Sequence, residues 1–212
     1  MPEPHPWRGI DLDVYERHMS DPRVGQLPRL HTITAEQVGS YPGRAISILG
    51  VAGGNGLDAI DPLAVDTVHG YDINPDYLAA CETRYRPRFG ERLHLVEATV
   101  DRTLILEPAD LVIANLIIEY VGVAEFAAFA SVNAPVIGTL SCVIQSSDAQ
   151  NFVSATPYSA SFDGLASVSS DVDPRALTSA MAEAGFQLLH ISEHPWPDGK
   201  TLVRLDFQPI TR

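Results

Sequence analysis

Residues 45–56 read AISILGVAGGNG, and this stretch decides the fold. Its first half, Ala45–Val51, is apolar at nearly every position, as a central strand of a parallel sheet must be when helices cover both of its faces. Its second half carries glycines at 50, 53, 54 and 56. These free the backbone to take positive φ and let a ligand approach without meeting a Cβ. A strand that runs through such a turn into a helix start also points N–H groups at an electron-rich ligand group.

Outward from this turn the chain alternates short β-rich runs with helical patterns, the signature of a parallel sheet built from βαβ units. Thr67–Tyr71 reads as the second strand and runs into GYDINP, residues 70–75. There Asn74 caps a helix that has Pro75 in its first position. That helix is predicted to run to about Arg86 and to bury Leu78, Cys81 and Tyr85. Leu93–Ala98 and Asp110–Leu116 read as the third and fourth strands, Val123–Asn133 as a helix, and Val136–Gln145 as the fifth strand. A helix over Pro174–Ala184 is closed by Gly185. Phe186–Glu193 and Lys200–Phe207 are then joined by a link too short for a parallel crossover, so this pair is antiparallel.

Two segments fall outside the alternation. Residues 1–40 hold helical pieces broken at Pro22 and Pro28, with Thr34–Tyr41 leading into the first strand; such a prelude is a lid or a packing arm. Residues 146–173 form a polar stretch of a length that is usually functional. Phe152, Tyr158 and Phe162 give it apolar surface to close on a ligand.

Composition narrows the function. The 212 residues suit one α/β domain. The net charge of −13, from 27 acidic and 14 basic residues, repels phosphate backbones and anionic membranes, so neither nucleic acid nor membrane is expected as a partner. The densest basic cluster, Arg84, Arg86, Arg88 and Arg92, is interspersed with Glu82 and Glu91 and reads as a solvated helix end. No apolar run approaches the roughly 20 residues of a membrane span. The opening MPEPHPWRGI lacks the features of a secretory leader, so a cytoplasmic location is expected. Cys81 and Cys142 sit at no metal spacing; they read as buried thiols, and no metal site is expected.

Asp72 follows Gly56 by 16 residues and sits at the carboxyl end of the second strand, where an acid can accept bonds from both hydroxyls of a ribose. Ile73 beside it suits an adenine face. The order of elements, together with ILGVAGGNG, GYDINPDYL and a carboxylate after the third strand, resembles the class I S-adenosylmethionine-dependent methyltransferases over about residues 44–208.

That resemblance implies a doubly wound, seven-stranded, mostly parallel sheet of order 3-2-1-4-5-7-6, its last strand antiparallel, with helices on both faces. It implies a binding domain at 44–212 behind a prelude at 1–43, S-adenosyl-L-methionine as cofactor, and methyl transfer; a small-molecule acceptor is expected because the sequence carries no large insertion or basic face to dock a macromolecule. Carried over by position, Ala52, Gly54 and Gly56 match the family's glycine positions, with Gly50 and Gly53 in the same turn. Asp72 matches the ribose-binding acid, Glu97 and Ala98 the pair bordering the adenine, and Asn115 the position beside the methionyl part. The sequence departs at Gly50, where the family carries an acid that helps hold the cofactor's ammonium group. Asp11, Asp58 and Glu119 are the acids that could substitute.

Two alternatives stand beside this reading. One is a binding protein that keeps the fold without turnover. The other is an NAD(P)-dependent enzyme, since residues 54–59 also satisfy G-x-G-x-x-G/A. Against the dehydrogenase stand the terminal hairpin, the lack of a second domain, and Pro62, which cuts short the helix after the turn. A general base is needed only where the acceptor must lose a proton before attack. Tyr15 and His18 in the prelude, with Met19 beside them, could roof the site. Glu119 and Tyr120 follow the fourth strand, where acceptors often sit. His194 reads as structural, and His5 and His31 carry no assignment.

Overall fold

The computed structural model describes residues 5–147, 156–195 and 200–210. Seven strands form one sheet: β1 (Ala45–Leu49), β2 (Thr67–Asp72), β3 (Leu93–Glu97), β4 (Ala109–Asn115), β5 (Ile137–Ser147), β6 (Phe186–Pro195) and β7 (Lys200–Pro209). Their order is β3-β2-β1-β4-β5-β7-β6. The first five pair in parallel, and β7 runs antiparallel to both β5 and β6. This is the expected order, and the last pair is antiparallel as the short link requires.

Helices cover both faces because the strands alternate two apolar sets. On one face, Phe126 and Phe129 of α5 (Val123–Asn133) and Leu177 and Met181 of α6 (Pro174–Glu183) pack on Leu140, Cys142, Leu205 and Phe207. On the other, α3 (Pro75–Phe89) places Leu78, Cys81 and Phe89 on Ile46, Ile48, Val68 and Ile113. Neighbouring residues of β1 therefore serve different cores, Ile48 one and Leu49 the other. Both cysteines are buried and unpaired, as read. No helix among the described residues is long and apolar enough to cross a membrane.

The prelude folds onto the sheet as a third apolar cluster. In α1 (Leu12–Ser20), Tyr15 and Met19, with Leu30 and Ile33 of α2 (Gln26–Ser40), meet Val143 of β5 and Leu202 of β7. The predicted break at Pro28 is absent. Pro28 is the third residue of α2, where a backbone N–H has no intrahelical acceptor to lose, so the ring is tolerated. The α3 helix also runs past the expected Arg86 to Phe89, with Gly90 at positive φ after it. Within the long polar segment, Ser159–Ser167 winds as a 3-10 helix that buries Phe162 and Leu165. Phe152 lies outside the described residues.

Candidate functional site

In a sheet of this order the winding reverses between β1 and β4, and the two connections part there to leave a crevice at the strands' carboxyl ends. A cavity of about 680 Å³ occupies that place. Its size falls in the range of roughly 300–1,000 Å³ usual for small-molecule and cofactor pockets.

The glycine turn forms one wall. The N–H groups of Gly50 and Val51 both donate to Tyr71 O, and Gly54 and Asn55 both donate to Val51 O. Asp72 staples this turn to the start of α3: Oδ2 accepts from Ala52 N at 2.8 Å and Oδ1 from Asn74 N at 2.9 Å. Burial holds the carboxyl above the usual carboxylate range, although backbone N–H groups of Asn74, Ala52 and Ile73 pull the other way. Each oxygen keeps a further lone pair, so the group can serve as a staple and still accept from a ligand.

Positive φ is not distributed as the glycines suggest. Gly50, Gly54 and Gly56 take it, but Gly53 does not, and Ala52 does, at φ 46°. The turn therefore carries a strained non-glycine residue at the first glycine position of the pattern. At Gly54 a Cβ would collide with the Tyr85 ring, so this glycine is required by packing of α3 as well as by ligand approach. At Gly50, φ is +71° and an added Cβ would sit 3.2 Å from Ile117 Cδ1. Ile117 thus fills the room an acid would need. Of the three proposed substitutes, Asp58 lines the cavity while accepting from Tyr85 Oη and Arg88, whereas Asp11 caps α1 and Glu119 is not in the wall. A Gly50→Asp variant should therefore lose about 1–3 kcal/mol of stability by overpacking, read as a lowered denaturation midpoint. An unchanged midpoint would contradict the role given to Ile117.

The prelude closes the cavity with links to the cradle itself. Trp7 O accepts from Asn74 Nδ2 at 2.9 Å, and Tyr15 Oη accepts from Asn55 Nδ2 at 2.8 Å. Arg84 donates to Gly53 O at 3.2 Å and pairs with Glu16. Arg8 pairs with Glu97 at 2.6 Å. Arg84, Arg86 and Arg88 are thus half-exposed and paired rather than simply solvated, while Arg92 is exposed, and Arg84 lines the cavity. Trp7 meets Tyr15 and Tyr120 edge-on at 5.7 and 5.2 Å, and Tyr15 stacks on Tyr77 at 6.0 Å. The Tyr77 hydroxyl is buried with no hydrogen-bond partner among the described residues, although Tyr77 lines the cavity. Sequence reading passed over it; the only local signal was its place one turn before Cys81.

Of the residues read from sequence, Gly50, Ala52, Gly53, Gly54, Gly56, Asp72, Ile73, Ala98, Asn115, Tyr15, His18 and Tyr120 share this cavity. Glu97 and Glu119 do not line it. Asn115 spends its amide on α2, exchanging both bonds with Gln37 at 2.9 and 3.0 Å and donating to Thr34 Oγ1 at 3.1 Å.

Glu119 lies behind the wall in α4 (Ile118–Val121), fully buried. Oε1 accepts from Gln145 N at 2.7 Å, and Oε2 has no partner among the described residues. Burial pushes its pKa up from 4.5 to about 7, with Asp171 adding in the same sense. The folded state therefore holds a proton that the unfolded chain releases. The stability this confers is full below about pH 4.5 and is lost as pH rises through about 7. Urea midpoints measured across that window should fall more steeply in the wild type than in Glu119→Gln; parallel curves would refute the shift.

No family model and no curated protein matches this chain. Solved structures do match. The CcbJ methyltransferase from Streptomyces caelestis is 14% identical with a TM-score of 0.72, over 99% of this chain and 100% of that one. The Burkholderia thailandensis 1,6-didemethyltoxoflavin-N1-methyltransferase, with 1,6-didemethyltoxoflavin and S-adenosylhomocysteine bound, is also 14% identical, with a TM-score of 0.68 over 100% and 92%. The [4+2]-cyclase SpnF matches at 14% and 0.61, over 86% and 82%. At such identities the likeness is one of fold, and by strand order and architecture the chain has the class I methyltransferase fold.

Proposed function

We propose that this chain transfers a methyl group from S-adenosylmethionine to a small organic acceptor. The observation that carries the reading is the cavity at the switch point, walled by the Gly50–Gly56 turn and Asp72 and roofed by the prelude. The residues present suit that cofactor. Asp72 accepts from the ribose hydroxyls, Ile73 and Ala98 border the adenine, and the Tyr77 hydroxyl supplies a donor that has no partner among the described residues. The rings of Trp7, Tyr15 and Tyr77 offer electron-rich faces to a positive charge, a role that suits a turn lacking the acid at residue 50. The cofactor supplies an activated methyl carbon. The protein's work is to align an acceptor with it and exclude water, and alignment alone can be worth roughly 7–11 kcal/mol. Within residues 1–43, the segment 5–20 covers the cradle and α2 walls it.

The test is calorimetric titration with S-adenosylmethionine, S-adenosylhomocysteine, NAD and NADP side by side. The expected result is micromolar binding of the first two only; binding of NAD or NADP instead overturns the reading. Tyr77→Phe should weaken S-adenosylmethionine binding by about 1 kcal/mol without lowering the melting temperature, because it removes a hydroxyl that no described residue pairs with.

A second reading rests on Gly50. With Ile117 in the room of the usual acid, a protein that binds the cofactor without methylating would keep this cradle, and the fold also serves a cyclase. Binding without methyl loss to any acceptor would favour it.

A further inference from the structure

Beyond the cradle the cavity continues between α1, α2, α4 and the 3-10 segment Ser159–Ser167. Apart from Trp7, which borders both halves, this half is not needed for the cofactor reading, on which the present inference rests. Its walls are flat rings set at steep angles to one another. Trp7 stands at 86° to Tyr120 and at 69° to Phe162, and Phe162 lies 4.5 Å from the His18 ring. Leu30, Leu165, Met19, Leu27 and Leu116 add aliphatic lining beside these rings. Rings arranged this way offer faces and edges to a flat guest and little to a flexible aliphatic one.

Among the groups in this half, His18 is suited to move a proton near neutral pH. Burial drives the hydroxyls of Tyr15 and Tyr120 up, Tyr15 to about 12, and Tyr15 Oη already accepts from Asn55. Glu119 lies behind the wall. His5 turns its Nδ1 to Trp7 N, and His31 is exposed on α2. His18 is 5% exposed, with its Nδ1 2.8 Å from Thr156 Oγ1. Thr156 Oγ1 also accepts from Tyr158 N at 3.1 Å and has lone pairs for both donors, so it can fix a hydrogen on Nδ1 and leave Nε2 as the acceptor. The charged groups bearing on His18 are Asp21 at the end of α1 and Lys200 of β7; burial and Lys200 outweigh Asp21, and the ring is held below its ordinary pKa.

We propose that this half of the cavity takes a planar aromatic acceptor carrying an ionisable O–H or N–H, and that Nε2 of His18 accepts that proton during transfer. The acceptor's O–H or N–H bond breaks, with its proton going to Nε2. The lone pair left behind forms the bond to the methyl carbon, and the carbon–sulfur electron pair stays on the departing sulfur as S-adenosylhomocysteine. The imidazolium then returns the proton to solvent.

The experiment uses the full chain saturated with S-adenosylhomocysteine, titrated with 2-naphthol and 8-hydroxyquinoline and, for contrast, with cyclohexanol and putrescine. Turnover with S-adenosylmethionine is then followed from pH 5.5 to 9 for wild type, His18→Gln and His18→Ala. Expected are binding of the two planar probes alone and a fall of about 10²–10⁴-fold in kcat for His18→Gln with a much smaller change in KM. The acid limb of the wild-type profile should vanish in the variant, and imidazole should restore part of the activity of His18→Ala. Binding of cyclohexanol or putrescine in preference, or of neither planar probe, overturns the acceptor class. Binding without turnover, or an unchanged kcat and pH profile in His18→Gln, overturns the proton transfer. Failure to bind S-adenosylhomocysteine at all is a different failure, that of the cofactor reading.

Discussion

Replacing Asp206 with alanine should lower the unfolding free energy by about 3–5 kcal/mol, the cost of leaving a buried charge without its partner. Arg204 and Asp206 sit two residues apart on β7 and so share a face, and that face is covered by α2. They are 3% and 0% exposed, and the guanidinium meets the carboxylate at 3.0 and 2.7 Å. The remaining acid near Arg204 is Glu36, half-exposed and 4.0 Å away, too loose to compensate. Asp206 also accepts from Ser141 Oγ, which accepts from Gln37 Nε2 at 2.8 Å, and Gln37 holds Asn115 at the cavity. Removing the carboxylate therefore frees α2 as well as stranding a cation. Urea denaturation measures the loss, and S-adenosylmethionine affinity should fall with it because α2 is a wall of the site. Converting both residues to apolar ones of similar volume should recover most of the stability, since a satisfied buried pair contributes little over a well-packed apolar pair. A loss below about 1 kcal/mol in the single variant would mean that water reaches Arg204.

The same network shows which parts of the molecule are legible in sequence. The strands and the antiparallel last pair followed from local facts: apolar runs, a glycine turn, a capped helix, and a terminal link too short to cross the sheet; their order came only with the family resemblance. The bonds from Gln37 to Ser141 and from Ser141 to Asp206 span 104 and 65 residues, and no periodicity records such pairs. Asn115 was placed at the site by its position, but its engagement with α2 was invisible. Pro28 misled because proline breaks a helix only once the N–H it lacks would have had a partner. Glu97 sits at its expected place after β3 while its side chain reaches Arg8, and this contact too is long-range. In the turn, composition located the cradle but not its strain: Ala52, rather than Gly53, holds positive φ, because Asp72 fixes the register by taking the Ala52 N–H.

That register makes Asp72 the most informative single position for function. Asp72→Ala should weaken S-adenosylmethionine binding by about 1.5–3 kcal/mol, the loss of charge-assisted bonds to the ribose. On the usual scale this is roughly a ten- to hundredfold rise in Kd. The same change leaves the N–H groups of Ala52 and Asn74 without their acceptor, at a cost to folding of about 1–3 kcal/mol. The two effects separate by measurement: the first appears in titrations made well below the melting temperature, the second in denaturation without ligand. Asp72→Asn sharpens the distinction. Its Oδ1 can still accept one of the two amides, but its NH₂ must face the other, donor against donor, so part of the folding cost persists while the volume is kept. If Asp72 only staples the turn, both variants lose stability and neither loses affinity beyond what partial unfolding explains. If it also holds the ribose, Asp72→Ala loses affinity at temperatures where it is fully folded, and S-adenosylhomocysteine, which carries the same ribose, loses it in equal measure. An equal loss for both ligands places the contact on a part they share, as the ribose is, and away from the sulfonium.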